Sequence, residues 1–211
     1  MTIAIQQKPI FTKSGSINTG VTIATQNTAK DGTGSVVTVF NAQRTLSSLT
    51  SSGTTATASF SIPHGFLNGE EILFTGANEA GYIGVKTVTV TGALSCTYTV
   101  SAGLTTPATG TIVADPINGY RISKLVFQPI GTNIATVARA FLNNGQSAGS
   151  AANNTYIDDV TLAASTLSEV ATMAGTEMPL DIVVPPFHKI NLTIGTTVAA
   201  GYSVYAVVGS Y

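Results

Sequence analysis

Val36-Val37-Thr38-Val39-Phe40-Asn41-Ala42 reads as a strand, and Asn118-Gly119-Tyr120-Arg121-Ile122 reads as a turn followed by a strand. Joined directly, the two stretches make strand, Asn-Gly-containing turn, strand, which is the pattern of a hairpin. Between them, residues 43–114 are dominated by Thr, Ser and Gly and carry roughly five short strand signals of their own. Inserting a domain at a hairpin tip costs little, because loop-closure entropy rises slowly with length and loop tips tolerate additions. The expected architecture is therefore all-β. A discontinuous outer β domain, residues 1–42 and 116–211, is interrupted by a small inserted β domain over residues 43–115.

Outward from this join, short β-branched and aromatic runs recur at about ten-residue spacing, as sandwiches and barrels require. They lie near residues 21–25, 35–40, 55–62, 71–75, 84–90, 95–100 and 110–113. Further runs lie near 121–129, 136–143, 156–162, 180–184, 189–195 and 202–208. Asp31-Gly32, Asn68-Gly69, Asn118-Gly119 and Asn144-Gly145 punctuate them, each suited to left-handed dihedrals. One short helix is expected near residues 166–174, where Thr166 and Glu169 have capping-box spacing. Residues 190–211 carry no charge and are long enough for a membrane span. Asn191, Thr193, Thr196, Thr197 and Ser203 interrupt them, and Gly195 and Gly201 divide them, so two strands are the better reading.

Of the 211 residues 44% are hydrophobic and only 9% charged, against about 25% charged in ordinary globular proteins. Nine basic and ten acidic residues leave a net charge of -1. No basic excess exists to neutralise phosphates or to hold an anionic bilayer, so neither nucleic acid nor membrane is an expected partner. A surface polar through hydroxyls and amides suits faces that neighbours cover, because burying a charge costs far more than burying a hydroxyl. The single cysteine, Cys96, excludes an intrachain disulfide and reads as a small apolar strand residue. That usage fits cytoplasmic production. Met1-Thr2-Ile3-Ala4-Ile5-Gln6-Gln7-Lys8 has no basic segment followed by an apolar core, so no signal peptide is expected.

The polar residues offer no convergent chemistry. His64, between Pro63 and Gly65, reads as a turn-stabilising residue, and His188, after Pro185-Pro186-Phe187, as a loop residue. Neither has Cys, Asp or Glu at zinc-ligand spacing. Glu70-Glu71 and Asp158-Asp159 are adjacent pairs in strand contexts, where neighbours point to opposite faces and cannot share a substrate. Asp31-Gly32-Thr33-Gly34 lacks the Gly-Lys-Ser/Thr end and the helix of a phosphate loop. Asp158 and Asp159 have no EF-type calcium spacing. No catalytic, cofactor-binding or metal-binding residue is expected, and the chain reads as a protein without enzymatic activity.

Interaction residues are read from pattern. Ile134-Ala135-Thr136-Val137-Ala138-Arg139-Ala140-Phe141 alternates, placing Arg139 on one face with Val137 and Phe141. The plain reading of Arg139 is an edge or snorkelling side chain. The sharper one is an interface arginine paired across subunits, with Phe141 beside it. Ile10 and Phe11 lie in an N-terminal arm with strand character and no obvious local partner, which suits contact with a neighbouring subunit.

Two segments carry a resemblance. Ser61-Ile62-Pro63-His64-Gly65-Phe66-Leu67-Asn68-Gly69-Glu70-Glu71-Ile72 continues through Gly76-Ala77 and Tyr82-Ile83-Gly84 to Thr97-Tyr98-Thr99-Val100. It resembles the His-Gly-Leu, Gly-Asp, Asn-Gly, Phe-Thr-Tyr modules of tailed-phage virion proteins, which are small β-barrel-like additions. Phe66 stands here for the usual Leu, Glu70 for the Asp, and Ile83-Gly84 for Asn-Gly. Asp31-Gly32-Thr33-Gly34, Gly119-Tyr120-Arg121-Ile122, Phe141-Leu142-Asn143-Asn144-Gly145, Asn153-Asn154 and the closing Gly209-Ser210-Tyr211 resemble pieces of small phage structural proteins.

The resemblance implies a β-sandwich or jelly-roll virion protein of the capsid cement or decoration type. Such a protein is made in the host bacterial cytoplasm and sits on the capsid exterior. Its implied partners are the major capsid protein and copies of itself, with a homotrimer slightly favoured over a dimer. The alternative is a tail, adaptor or fibre component with a receptor-binding role, in which aromatics near Tyr82 or Tyr98 would stack on glycans.

Overall fold

The computed structural model describes residues 16–17 and 20–210. In chain order the strands are β1 (Ser16–Ile17), β2 (Val21–Ile23), β3 (Val37–Asn41), β4 (Arg44–Ser52), β5 (Thr55–Phe60), β6 (Glu71–Ala77), β7 (Gly84–Thr87) and β8 (Thr89–Gly92). They continue as β9 (Ser95–Thr99), β10 (Gly110–Pro116), β11 (Tyr120–Pro129), β12 (Thr136–Asn143), β13 (Asn154–Leu162), β14 (Thr176–Val184), β15 (Lys189–Ile194) and β16 (Tyr202–Ser210). The chain is all-β, as its alternating β-branched runs require. It divides into two compact units, one formed by the described residues up to Asn41 with those from Tyr120 onward, the other by Ala42–Gly119.

The first unit has two antiparallel sheets, ordered β1-β16-β11-β14, with β2 also on β16, and β13-β12-β15-β3. Counted from β2 within this unit, the orders are 1-8-3-6 and 2-7-4-5, the arrangement of an eight-stranded jelly roll. Leu125, Phe127, Val204 and Ala206 of the first sheet and Ala138, Ala140, Leu192 and Ile194 of the second are completely buried. Each large apolar side chain removed from water in this way contributes about 1.5–3 kcal/mol.

The hairpin expected across the join does not form. β3 pairs with β15, whereas β11 pairs with β14 and β16. The two flanking strands belong to different sheets, so the chain leaves one sheet and re-enters the other. The helix expected at residues 166–174 is also absent. The Oγ of Ser168 accepts the amides of Val170 and Ala171, and the amide of Leu167 donates to Thr132 Oγ1. Leu167 and Val170 are both exposed, so a helix here would have no apolar face to bury, and packing is what stabilises a short helix.

The second unit is one sheet ordered β7-β6-β10-β4-β5-β9-β8. Its two end strands are consecutive in the chain and separated only by the buried Val88, so the chain itself links the ends into a nearly closed barrel. The single run expected at 84–90 is therefore two strands meeting at that residue. Leu49, Ala58, Phe60, Ile72, Phe74, Tyr98 and Ile112 fill the interior. Between β6 and β10 the register slips, and two glycines face each other there. Gly76 has φ 82, and a Cβ on it would stand 2.0 Å from the Thr111 carbonyl oxygen; Gly110 has φ 107, and its Cβ would stand 2.2 Å from the Gly76 oxygen. Gly32, Gly69, Gly119 and Gly145, the four turn glycines read from the sequence, all have positive φ.

Candidate functional site

In the second unit His64 is buried. Its Nδ1 accepts the Phe66 amide at 3.0 Å and its Nε2 lies 2.9 Å from the Gly92 carbonyl oxygen. An acceptor at Nδ1 and a carbonyl at Nε2 fix the neutral tautomer protonated on Nε2. The ring sits between Phe60 and Phe66, with centroids 5.1 and 4.8 Å away. Glu70 Oε2 accepts the Leu67 amide, closing the same turn. Tyr82 and Tyr98, expected as glycan platforms, are both buried. The Tyr98 hydroxyl donates to the Tyr82 carbonyl and the Tyr82 hydroxyl to the Thr105 carbonyl. Neither ring offers a face to a ligand, because both complete the barrel core. Cys96 is buried, and desolvation pushes its thiol up to about 11.

In the first unit His188 Nδ1 lies 2.8 Å from the Pro186 carbonyl oxygen. Residues 190–211 contribute the separate strands β15 and β16, and no helix among the described residues is long and apolar enough to cross a membrane. Ile10 and Phe11 lie outside the described residues. Phe141 is completely buried. Its ring packs on Tyr156 at 5.8 Å and lies within 3 Å of where a Gly32 Cβ would stand. That places Phe141 in the interior of its unit, covered by the Gly32 turn, rather than on an accessible contact face. Arg139 is half-buried, and its Nη1 has no hydrogen-bond partner.

The surroundings of Arg139 come from an irregularity in β13. Ala140 pairs with Asp158 and Phe141 with Tyr156, so Ile157 is an extra residue without an opposite number. Such a bulge shifts the alternation by one, and Tyr156 and Asp159 reach the same face as Phe141 and Arg139. Arg139 is directly opposite Asp159 on one side and Thr193 on the other. Tyr156 is 48% exposed. Desolvation first, and then the Asp159 carboxylate beside its hydroxyl, raise the Tyr156 phenol above its ordinary value. A shallow hollow of about 350 Å3 adjoins this cluster, lined by Arg139, Val137, Thr161, Thr136, Gly195 and Thr196.

A second surface lies at one end of the jelly roll, where β11 finishes at Pro129, β16 starts at Tyr202, β12 starts at Thr136 and β13 finishes at Leu162. Asn133, buried, ties the loops of that end together. Its Nδ2 donates to the carbonyls of Gly131 and Gly201, and its Oδ1 accepts the amides of Ala200 and Gly201. Above it stand the exposed side chains of Ile130, Ile134, Leu167 and Val170, beside a hollow of about 330 Å3 walled by residues 163–166 and 172–176. Asn133 and Tyr156 were not singled out from the sequence. The partners of Asn133 lie up to 68 residues away, and Tyr156 acquires its neighbours only through the bulge.

No protein family, curated protein or solved structure matches this chain.

Proposed function

We propose that this chain is a non-enzymatic phage virion structural protein, a capsid cement or decoration protein that covers the outside of a shell built by the major capsid protein. The observation that carries the reading is the apolar end of the jelly roll. Ile130, Ile134 and Leu167 stand exposed on loops that Asn133 and Thr132 tie together, and Val170, 97% exposed, follows on the same connection, in a chain with 9% charged residues. Apolar surface gains about 25 cal/mol for each Å2 removed from water. One small patch is a weak contact. Repeated over many copies on one shell, such contacts add through avidity.

Three further observations support the reading. The polar side chains with the best chemistry in them make structural bonds instead: His64 and Glu70 close one turn, Asp31 another through Thr33, and Glu79 ties its segment to the distant Thr109. The jelly-roll order recurs in viral shell domains, which is an argument by analogy of fold. The motif resemblances in residues 61–100 point to the same class of particle. Self-association, with trimers preferred to dimers, belongs to the same proposal.

A tail or fibre location with receptor binding is the second reading, and the half-exposed Tyr156 cluster favours it. The two are separated by quantifying this chain in purified particles and locating it in a density map. Hundreds of copies on the head fit shell-wide cementing; a few copies per particle, or density at the tail, exclude it.

A further inference from the structure

We infer that the face of the β12–β13 ladder bearing Tyr156, Asp159 and Arg139 is a binding subsite for a neutral, hydroxyl-rich saccharide. The inference does not depend on where in a particle the chain sits.

The site is built rather than scattered. The extra residue Ile157 brings Tyr156 and Asp159, three apart in sequence, onto one face, and the ladder sets Arg139 directly across from Asp159. The tyrosine ring is held from behind by Phe141, with an interplanar angle of 73°, and is still half-exposed. An aromatic ring fixed in this way presents an apolar surface of low conformational entropy to the C–H face of a sugar. The Arg139 guanidinium lies against Gly195, where a Cβ would meet Nη1 at 3.4 Å and Nη2 at 3.5 Å. No ion pair fixes Arg139 among the described residues, and its Nη1 is a buried donor with no acceptor. A buried donor left in that state is costly, and a ligand oxygen reaching the guanidinium would relieve it.

The chemistry selects the ligand class. A carboxylate accepts hydroxyl protons, and a guanidinium donates to hydroxyl oxygens, both as charge-assisted hydrogen bonds. Asp159 beside the Tyr156 ring and Arg139 against Gly195 offer an acceptor and a donor on the two sides of β12 to hydroxyls of a saccharide lying across it. Asp159 is the charge beside the Tyr156 ring, whereas the Arg139 guanidinium lies against Gly195, so the surface at the ring is negative and repels phosphates and acidic sugars. The hollow bordered by Thr161 and Thr196 continues the hydroxyl-lined surface away from Arg139.

The full chain is titrated with methyl glucoside, methyl galactoside, methyl mannoside and free sialic acid, while amide and arginine side-chain NMR shifts are followed. A saturable shift at Gly195 and the Arg139 Nε–H with at least one neutral glycoside is expected, weakened about tenfold or more by Tyr156→Ala and by Asp159→Asn. Asp159→Asn keeps the shape of the site, so a folded variant with weakened binding assigns the loss to the carboxylate. Absence of a saturable shift with all three glycosides overturns the inference. So does binding unaffected by both substitutions, or sialic acid binding at least as tightly as the neutral glycosides.

Discussion

The amide of Phe66 donates to Nδ1 of His64 at 3.0 Å, so the only other ring nitrogen must be the one that carries the proton and faces the Gly92 carbonyl. One imidazole thereby bridges a turn and the β8–β9 connection while filling the space between Phe60 and Phe66. His64→Ala removes a buried ring and leaves a buried amide and carbonyl unmatched, which predicts a loss of about 2–5 kcal/mol. His64→Asn keeps a short acceptor for the Phe66 amide but cannot reach Gly92, so an intermediate loss is expected. Urea unfolding of the two variants measures this. An alanine variant as stable as the parent refutes the structural role of the ring.

The facing glycines of β6 and β10 give a sharper contrast. Gly76→Ala puts a methyl group 2.0 Å from the Thr111 carbonyl oxygen, a distance that no rotamer change can relieve. Gly53 also has positive φ, but nothing lies within 4 Å of its Cβ position. Gly53→Ala should therefore cost only the left-handed backbone penalty, about 1–2 kcal/mol. Gly76→Ala should disrupt the β6–β10 ladder. Amide exchange at Leu73 and Thr75 reports the difference. Equal protection in the two variants would show that the close approach is relaxed in solution.

How much of this was legible in the sequence depends on whether alternation survives. β16 and β12 keep a period of two over most of their length and were readable as strands. β4 was not, because a register shift between Leu46 and Ser48 places Leu46 and Leu49 toward the same core at a spacing of three. The same device hid the Tyr156 and Asp159 pair. Turn glycines were readable because Asn-Gly and Asp-Gly report a local backbone need. The sheet crossing between β3 and β11 was not, because nothing local distinguishes a hairpin from a move between facing sheets. Thr166 and Glu169 suggest a helix by capping-box spacing alone, and only the absence of anything for Leu167 and Val170 to pack against decides otherwise.

Cys96 provides the pH test. Burial disfavours the thiolate and lifts the group from its ordinary value of 9.0 to about 11. The unfolded chain then loses its proton first, so stability is intact below about pH 9 and declines as pH rises toward 11. The native thiol should resist a disulfide reagent at pH 8 and react in denaturant. Rapid native labelling would mean that the barrel opens locally around β9.

Asn133 meets five polar groups of its own end of the jelly roll, including the Oγ of Ser165 at 3.3 Å. Asn133→Ala strands the amides of Ala200 and Gly201, each costing about 1–3 kcal/mol when unsatisfied, while the Gly131 and Gly201 carbonyls keep the Ser165 hydroxyl and the Ile130 amide. A clear drop in melting temperature is expected, with exchange rising first at Ala200 and Gly201. Unchanged protection at those amides would show that water replaces the side chain without loss.

The apolar end can be tested without disturbing the fold. Val170 and Leu167 are both more than half exposed, so Val170→Asp with Leu167→Asp should change stability by no more than about 0.5 kcal/mol. The same substitutions place two charges where the proposed shell contact removes water, and an unpaired buried charge opposes association strongly. The double variant should therefore remain folded and monodisperse while failing to co-sediment with shells stripped of this chain. Raising the salt concentration should not restore it, since the penalty is desolvation and exposed-charge screening does not reach a dry contact. If the folded variant sediments with shells as well as the parent, this end is not the docking surface, and the cement reading loses the observation that carries it.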